Sequence, residues 1–213
     1  MLADLWPPYQ LSLVTPRLEL RLPREEEVAA LAEVAGRGVH PPGERPFLTP
    51  WTDGAPADRI REVLQGHWHD LATWEAGGWC LSLGVFRDGE GMGQISLRAT
   101  GFPVTRQVRT SSWLGLEFQG QGYGIEARAA LLTLAFDHLG ATDALTEVFQ
   151  DNHASQGVSR KLGYEPDGIS VDARDGEALT SDRLRLTRRR WAQRERPAVT
   201  VSGFENCRRT FGL

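Results

Sequence analysis

The sequence predicts an α/β fold built on one mixed sheet, and three observations carry the prediction. Short segments alternate apolar and small or polar residues in period two, as in Trp79, Leu81, Leu83 and Val85 against Cys80, Ser82 and Gly84. Other segments repeat at helical spacing, as in Ile60, Val63, Leu64, Trp68, Leu71 and Trp74. The two kinds interleave, with hairpins in the middle and one strand-helix-strand crossover later, which mixes antiparallel and parallel pairing. The predicted order is β-α-α-β-β-β-α-β-α-β-β.

Each element has a local cause. Thr15-Pro16-Arg17 opens a strand through Leu18, Leu20 and Leu22. Pro23 and the acids Glu25–Glu27 suit a helix start, and Gly36 and Gly38 end that helix. Residues 37–56 are a loop rich in Pro and Gly that carries His40, Phe47 and Trp51. The second helix stops at Gly77-Gly78. Strands then follow on either side of the Asp88-Gly89 turn, and another runs from about Val108 to Phe118. A helix starts after Gly124, with Ile125, Ala129, Leu132, Phe136 and Leu139 on one stripe. Ala144–Phe149 reads as a strand, Asn152–Leu162 as a helix closed by Gly163, and the last two strands turn around Asp175-Gly176. Residues 1–192 are thus expected to form one domain. Residues 193–213 are expected to form a polar tail that docks on a neighbouring subunit.

Composition narrows the function class. The chain has 213 residues and a formal net charge of -4. It needs no disulfide or metal to complete a core of this size. Of 24 basic residues, one is a lysine, Lys161. Residues 183–196 hold seven arginines and one acid, Glu195, on an otherwise acidic body. Such a run marks a charged edge strand better than a nucleic-acid surface, so nucleic acid is not an expected partner. No apolar run approaches membrane-spanning length and no secretory signal opens the chain, so no membrane partner and a cytoplasmic location are expected. Cys80 and Cys207 are far apart and the five histidines form no metal-binding spacing, so no metal is expected.

The strongest chemical signal is Gln119-Gly120-Gln121-Gly122-Tyr123-Gly124, between a strand and a helix. The first amides of a helix lack acceptors and carry its positive dipole end, and glycines admit a phosphate close to the backbone. This is the chemistry of a pyrophosphate cradle. The turn is no dinucleotide fingerprint, because Ile125 fills the last glycine position, and it lacks the Gly-Lys-Ser/Thr of a P-loop.

Gln119, Gly122 and Gly124 resemble the Q/R-x-x-G-x-G/A motif of the GCN5-related N-acetyltransferase (GNAT) superfamily. Asn152-His153-Ala154-Ser155, Val158 and Lys161-Leu162-Gly163-Tyr164 resemble a second segment of its branch that acetylates ribosomal-protein N-termini, as does Thr15-Pro16-Arg17-Leu18. Shorter pieces, including Trp113-Leu114-Gly115-Leu116, are similar to an actinobacterial GNAT succinyltransferase. The resemblance implies transfer of an acetyl or succinyl group from the CoA thioester to a primary amine on a protein N-terminus, a lysine or a small molecule. Acetyl-CoA or succinyl-CoA would be a cosubstrate, with no tightly bound cofactor, and a homo-oligomer is expected.

The resemblance also assigns residues. Leu116, Gln119, Gly120, Gln121, Gly122, Tyr123 and Gly124 would hold the donor, with the strand edge Leu114–Phe118 pairing the pantetheine amides. Asn152 would bond the pantetheine, and Ser155 would donate a hydrogen bond to the departing thiolate. Glu117 is the candidate base, with Asp172 as its rival. His40, Phe47 and Trp51 would line the acceptor pocket. A succinyl carboxylate would need a cation, for which Arg106, Arg109, His40 and Arg45 are candidates. An acyl-CoA sensor without turnover is the competing reading.

Overall fold

The structure is a computed structural model that describes residues 2–213. In chain order its elements are α1 (Leu2–Leu5), β1 (Ser12–Val14), β2 (Glu19–Arg21), α2 (Glu25–Arg37), α3 (Pro56–Ala72), β3 (Gly78–Arg87), β4 (Glu90–Thr100) and α4 (Phe102–Thr105). They continue with β5 (Gln107–Leu114), α5 (Tyr123–Thr133), β6 (Asp143–Phe149), α6 (His153–Leu162), β7 (Glu165–Arg174), β8 (Glu177–Thr187), α7 (Arg188–Ala192), β9 (Thr200–Ser202) and α8 (Phe204–Cys207).

All nine strands join one sheet, in the order β7-β8-β6-β5-β4-β3-β2-β1-β9. Every neighbouring pair is antiparallel except β5 and β6, which α5 connects. Strand β3 shows why helices cover both faces. Its odd residues, Trp79, Leu81, Leu83 and Val85, belong to the main core with α5. Of its even residues, Ser82 donates to Asp70 on α3, while Gly84 abuts Leu31 of α2. Strict alternation thus feeds two layers of helix from a single strand.

Three stretches differ from expectation. The expected first strand is β2, and an additional strand, β1, precedes it and pairs with it antiparallel, Leu13 opposite Leu20. The strand expected to reach Phe118 stops at Leu114, because Leu116 N–H turns to Gly38 O and residues Leu116–Phe118 coil into a short 3-10 turn. The helix after the glycine turn loosens into a π-helical turn over Leu134–His138.

In this structure the 193–213 segment packs on its own chain. Strand β9 pairs with β1, and Phe204, Cys207 and Phe211 are buried. Trp74 Nε1 donates to Thr210 O at 2.8 Å, and the Phe211 ring lies 4.9 Å from that of Trp79. The turn into α8 requires Gly203: its φ is +74°, and a Cβ there would meet Gln10 O at 2.0 Å. Among the described residues, no helix is long and apolar enough to cross a membrane, and no three His, Cys, Asp or Glu side chains group to hold a metal ion.

Candidate active site

Strands β5 and β6 pair over only three positions, Gln107–Arg109 against Asp143–Leu145. Beyond them β5 stays with β4 and β6 stays with β8, so the two part like a wedge. Gln119 Nε2 donates at 2.8 Å to both Val39 O and Leu114 O, and Leu116 N–H bonds Gly38 O. These bonds draw the end of β5 toward the end of α2. At the root of the wedge, Thr146 Oγ1 donates to Thr110 O at 3.2 Å. The β5 edge that faces the wedge is Thr110–Leu114, not Leu114–Phe118 as expected. It leaves backbone groups without a strand partner, and such groups seek one.

A cleft of about 530 Å³ fills the wedge. Gly120, Gly122, Tyr123 and Gly124 line its first wall. Gly122 caps α5 with φ +84°, a left-handed conformation that disfavours any side chain. Glu126 N–H makes the first intrahelical bond, to Gly122 O, so the amides of Tyr123, Gly124 and Ile125 have no intrahelical acceptor. The one acid in this first turn is turned aside. Glu126 accepts from Arg17 at 2.6 Å and from Thr15 at 2.7 Å. The helix start therefore keeps its positive end free for an anion.

The facing wall is the start of α6. Asn152 Oδ1 accepts the Ser155 N–H at 3.0 Å, so Asn152 is the N-cap and fixes the first turn. His153, Ala154, Ser155 and Lys161 face the cleft, and the Ser155 hydroxyl bonds nothing among the described residues. The third wall is the loop after α2, with His40, Glu44 and Phe47. Arg174 of β7 fixes this loop by donating to Phe47 O and pairing with Asp53. Trp51 lies behind, its ring 5.1 Å from Phe47 and 5.8 Å from Trp113, and does not line the cleft.

Several expected residues fall elsewhere. Glu117 leaves the strand, sits in the 3-10 turn and pairs with Arg37 at 3.0 Å, outside the cleft lining. Leu116 and Gln121 do not line the cleft; Gln121 Nε2 donates to Glu117 O. Asp172, on the hairpin strand β7, does not line it either. The carboxylates that do are Glu44 and Glu147, the latter paired with Arg109 at 2.8 Å. Arg106 stacks over the Phe102 ring, away from the lining. Tyr164 is buried, 3.3 Å from Thr110 Oγ1, and burial raises its phenol pKa.

The sequence reading missed Arg128. It lines the cleft from α5, is only 4% exposed, and donates through Nη2 to Ser112 Oγ at 2.7 Å. A lone charge inside the apolar run Ala127–Phe136 was the available signal.

Comparison with known proteins agrees with this geometry. The fold is similar to Mycobacterium smegmatis RimJ in complex with CoA-disulfide, with TM-score 0.68 and 18% identity over 94% of this chain and 93% of that one. It is similar to RimL, a ribosomal L7/L12 α-N-protein acetyltransferase in complex with coenzyme A, with TM-score 0.62 and 20% identity over 82% and 96%. A GNAT-family acetyltransferase from Bacillus anthracis gives TM-score 0.61 and 14% identity over 84% and 99%. At these identities the likeness concerns the fold. Residues 17–165 match the family described as the acetyltransferase (GNAT) domain. With that match over most of its length, and with a glycine-turn cleft between parting parallel strands, this chain belongs to the GNAT acetyltransferase family.

Proposed function

We propose that the protein moves an acetyl or succinyl group from a CoA thioester to a primary amine. The observation that carries this reading is one cleft that joins three features. These are the acceptor-free amides of α5, the unpaired β5 edge and the free Ser155 hydroxyl. Pyrophosphate fits the first, the pantetheine amides fit the second, and a departing thiolate fits the third. A recess beside Gly122 is lined by Arg17, Lys161, Arg194 and Arg196, four cations against the two acids Glu126 and Glu195, and this excess of positive charge suits the charged nucleotide end of CoA.

In this reading the neutral amine attacks the thioester carbonyl, a C–N bond forms, the C–S bond breaks, and the proton lost by the amine balances the one taken up by the departing CoA thiolate. A β5 backbone N–H stabilises the oxyanion, and Ser155 donates a hydrogen bond to the sulfur. Glu44 and Glu147 are the carboxylates that line the cleft, and their charge favours a cationic acceptor. The acceptor is an amine on a protein N-terminus, a lysine or a small molecule; the fold relative RimL acts on a ribosomal protein.

Thiol release tests the reading, with acetyl-CoA and succinyl-CoA each offered to N-terminal peptides, lysine peptides and polyamines. Acceptor-dependent thiol release is expected. Tight CoA binding with no acceptor-dependent release would make the protein an acyl-CoA sensor instead.

A further inference from the structure

Acyl transfer needs a group to take the proton of the amine, and Glu117 and Asp172 both stand outside the cleft. The cleft itself cuts through the sheet. Thr110 and Ser112 line it, and they share the α5 face of β5 with Val108 of the main core. Ser111 and Trp113 line it from the opposite face, where Trp113 packs on Ala32 and Ala35 of α2 and Val63 of α3. The pyrophosphate is served from the α5 face. An amine that meets the thioester inside the wedge therefore arrives from the other face, past the loop that follows α2. Three titratable side chains of the lining stand on that side. His40 and Glu44 belong to the loop, and Glu147 alternates on β6 with Val148 of the main core.

We propose that His40 is the catalytic base, its Nε2 taking the proton of the attacking amine. The proposal rests on the reading of the cleft as an acyl-CoA site. His40 Nδ1 lies 2.9 Å from Pro41 O. A carbonyl oxygen can only accept, so Nδ1 carries the ring proton, and Nε2 of the neutral ring is left with a lone pair. Nothing among the described residues bonds Nε2. The ring is also held in place. Its centroid lies 6.3 Å from that of Phe47, whose carbonyl is fixed by Arg174. The other candidates are engaged or unoriented. Glu147 pairs with Arg109 at 2.8 Å, while the side chains of Glu44 and of His153 on α6 have no bonding partner among the described residues. In the step, the amine lone pair forms the C–N bond, the amine proton passes to Nε2, and the C–S electron pair leaves with the sulfur. The imidazolium then yields its proton to solvent, which matches the proton that the thiolate takes up.

The test measures thiol release from acetyl-CoA and succinyl-CoA with an N-terminal peptide, a lysine peptide and spermidine, and donor binding by calorimetry, in the wild type, His40→Asn and His40→Ala. Asparagine keeps an amide N–H for Pro41 O but offers no basic nitrogen. His40→Asn is expected to lower kcat by about 10²- to 10³-fold, while the amine KM and the donor Kd stay within about 3-fold. His40→Ala loses as much, and added imidazole restores its kcat by about 10-fold or more. Wild-type kcat in His40→Asn overturns the proposal. So does a loss confined to the amine KM, which would make His40 a wall of the acceptor pocket. A loss in His40→Ala that imidazole leaves unrestored overturns it as well, and gives the ring a structural part in the loop. In each of those cases the wild type still releases thiol, so the cleft reading stands. Donor binding without acceptor-dependent release in the wild type would overturn that reading, and this proposal with it.

Discussion

Ser155 holds a hydroxyl at a helix start whose backbone amide is already satisfied by Asn152. Replacing it with alanine keeps that cap bond, so the wall of the cleft stays in place. Ser155→Ala is therefore expected to lower turnover by about 10²-fold or less while CoA affinity holds, as initial rates and calorimetry would show. Unchanged turnover would remove Ser155 from the chemistry. His67 illustrates a different kind of residue. It is buried on α3, and desolvation lowers its pKa below the ordinary histidine value, against the weaker opposing pull of Asp70. The unfolded chain therefore binds this proton more readily than the folded one. Stability should fall as pH drops below about 6.5 and fall no further on this account below the folded pKa. Melting temperatures from about pH 8 to pH 5 should show that slope, and His67→Leu should flatten it. The place of Gln119, Gly122 and Ser155 in the cleft wall was readable because it depends on local order along the chain. Glu117 was not, because its fate hangs on Arg37, eighty residues away, which draws its carboxylate out of the cleft.

At the scale of elements, the wedge between β5 and β6 holds the cleft, and its third wall is a loop with little structure of its own. Arg174 joins that loop to β7 through Phe47 O and Asp53. Its guanidinium is buried, whereas Asp53 is partly exposed and can resolvate if the pair is broken. Arg174→Met should thus loosen the acceptor wall more than the donor wall. The amine KM is expected to rise roughly 10-fold while the CoA Kd changes little, and steady-state kinetics with calorimetry would separate the two. Equal effects on both ligands would show that the loop serves the donor as well. The crossover helix and both hairpins were legible from period and turn chemistry alone. The end of β5 was not. Leu114–Phe118 reads as a continuing strand, and only the bond from Leu116 to Gly38 and the 3-10 turn over Leu116–Phe118 break it. That shift moved the donor-facing edge back to Thr110–Leu114.

For the whole molecule, the final residues complete the sheet and seal one end of the core. Phe211 is fully buried among Trp74, Trp79 and Phe204. Phe211→Ala should cost about 3–5 kcal/mol of stability, measured by denaturant unfolding. A loss under about 1 kcal/mol would mean the segment is a dispensable appendage. The arginine run near the end of the chain is likewise absorbed into the fold. Arg183 and Arg194 bond carbonyls of Asp167 and Lys161, while Arg185, Arg190 and Arg196 pair with Asp143, Glu165 and Asp137.

The sequence by itself determined the alternation of strands and helices, the glycine turn and the capped start of α6, because each follows from neighbours along the chain. Tertiary structure alone decided where β5 leaves β6, which carboxylates face the cleft, where the last twenty-one residues lie, and that Arg128 stands buried without a counter-ion. These depend on bonds between residues far apart in sequence. In a helix as apolar as α5 the lone Arg128 marks a polar position, but only the parting of the strands beneath it makes that position a cleft wall.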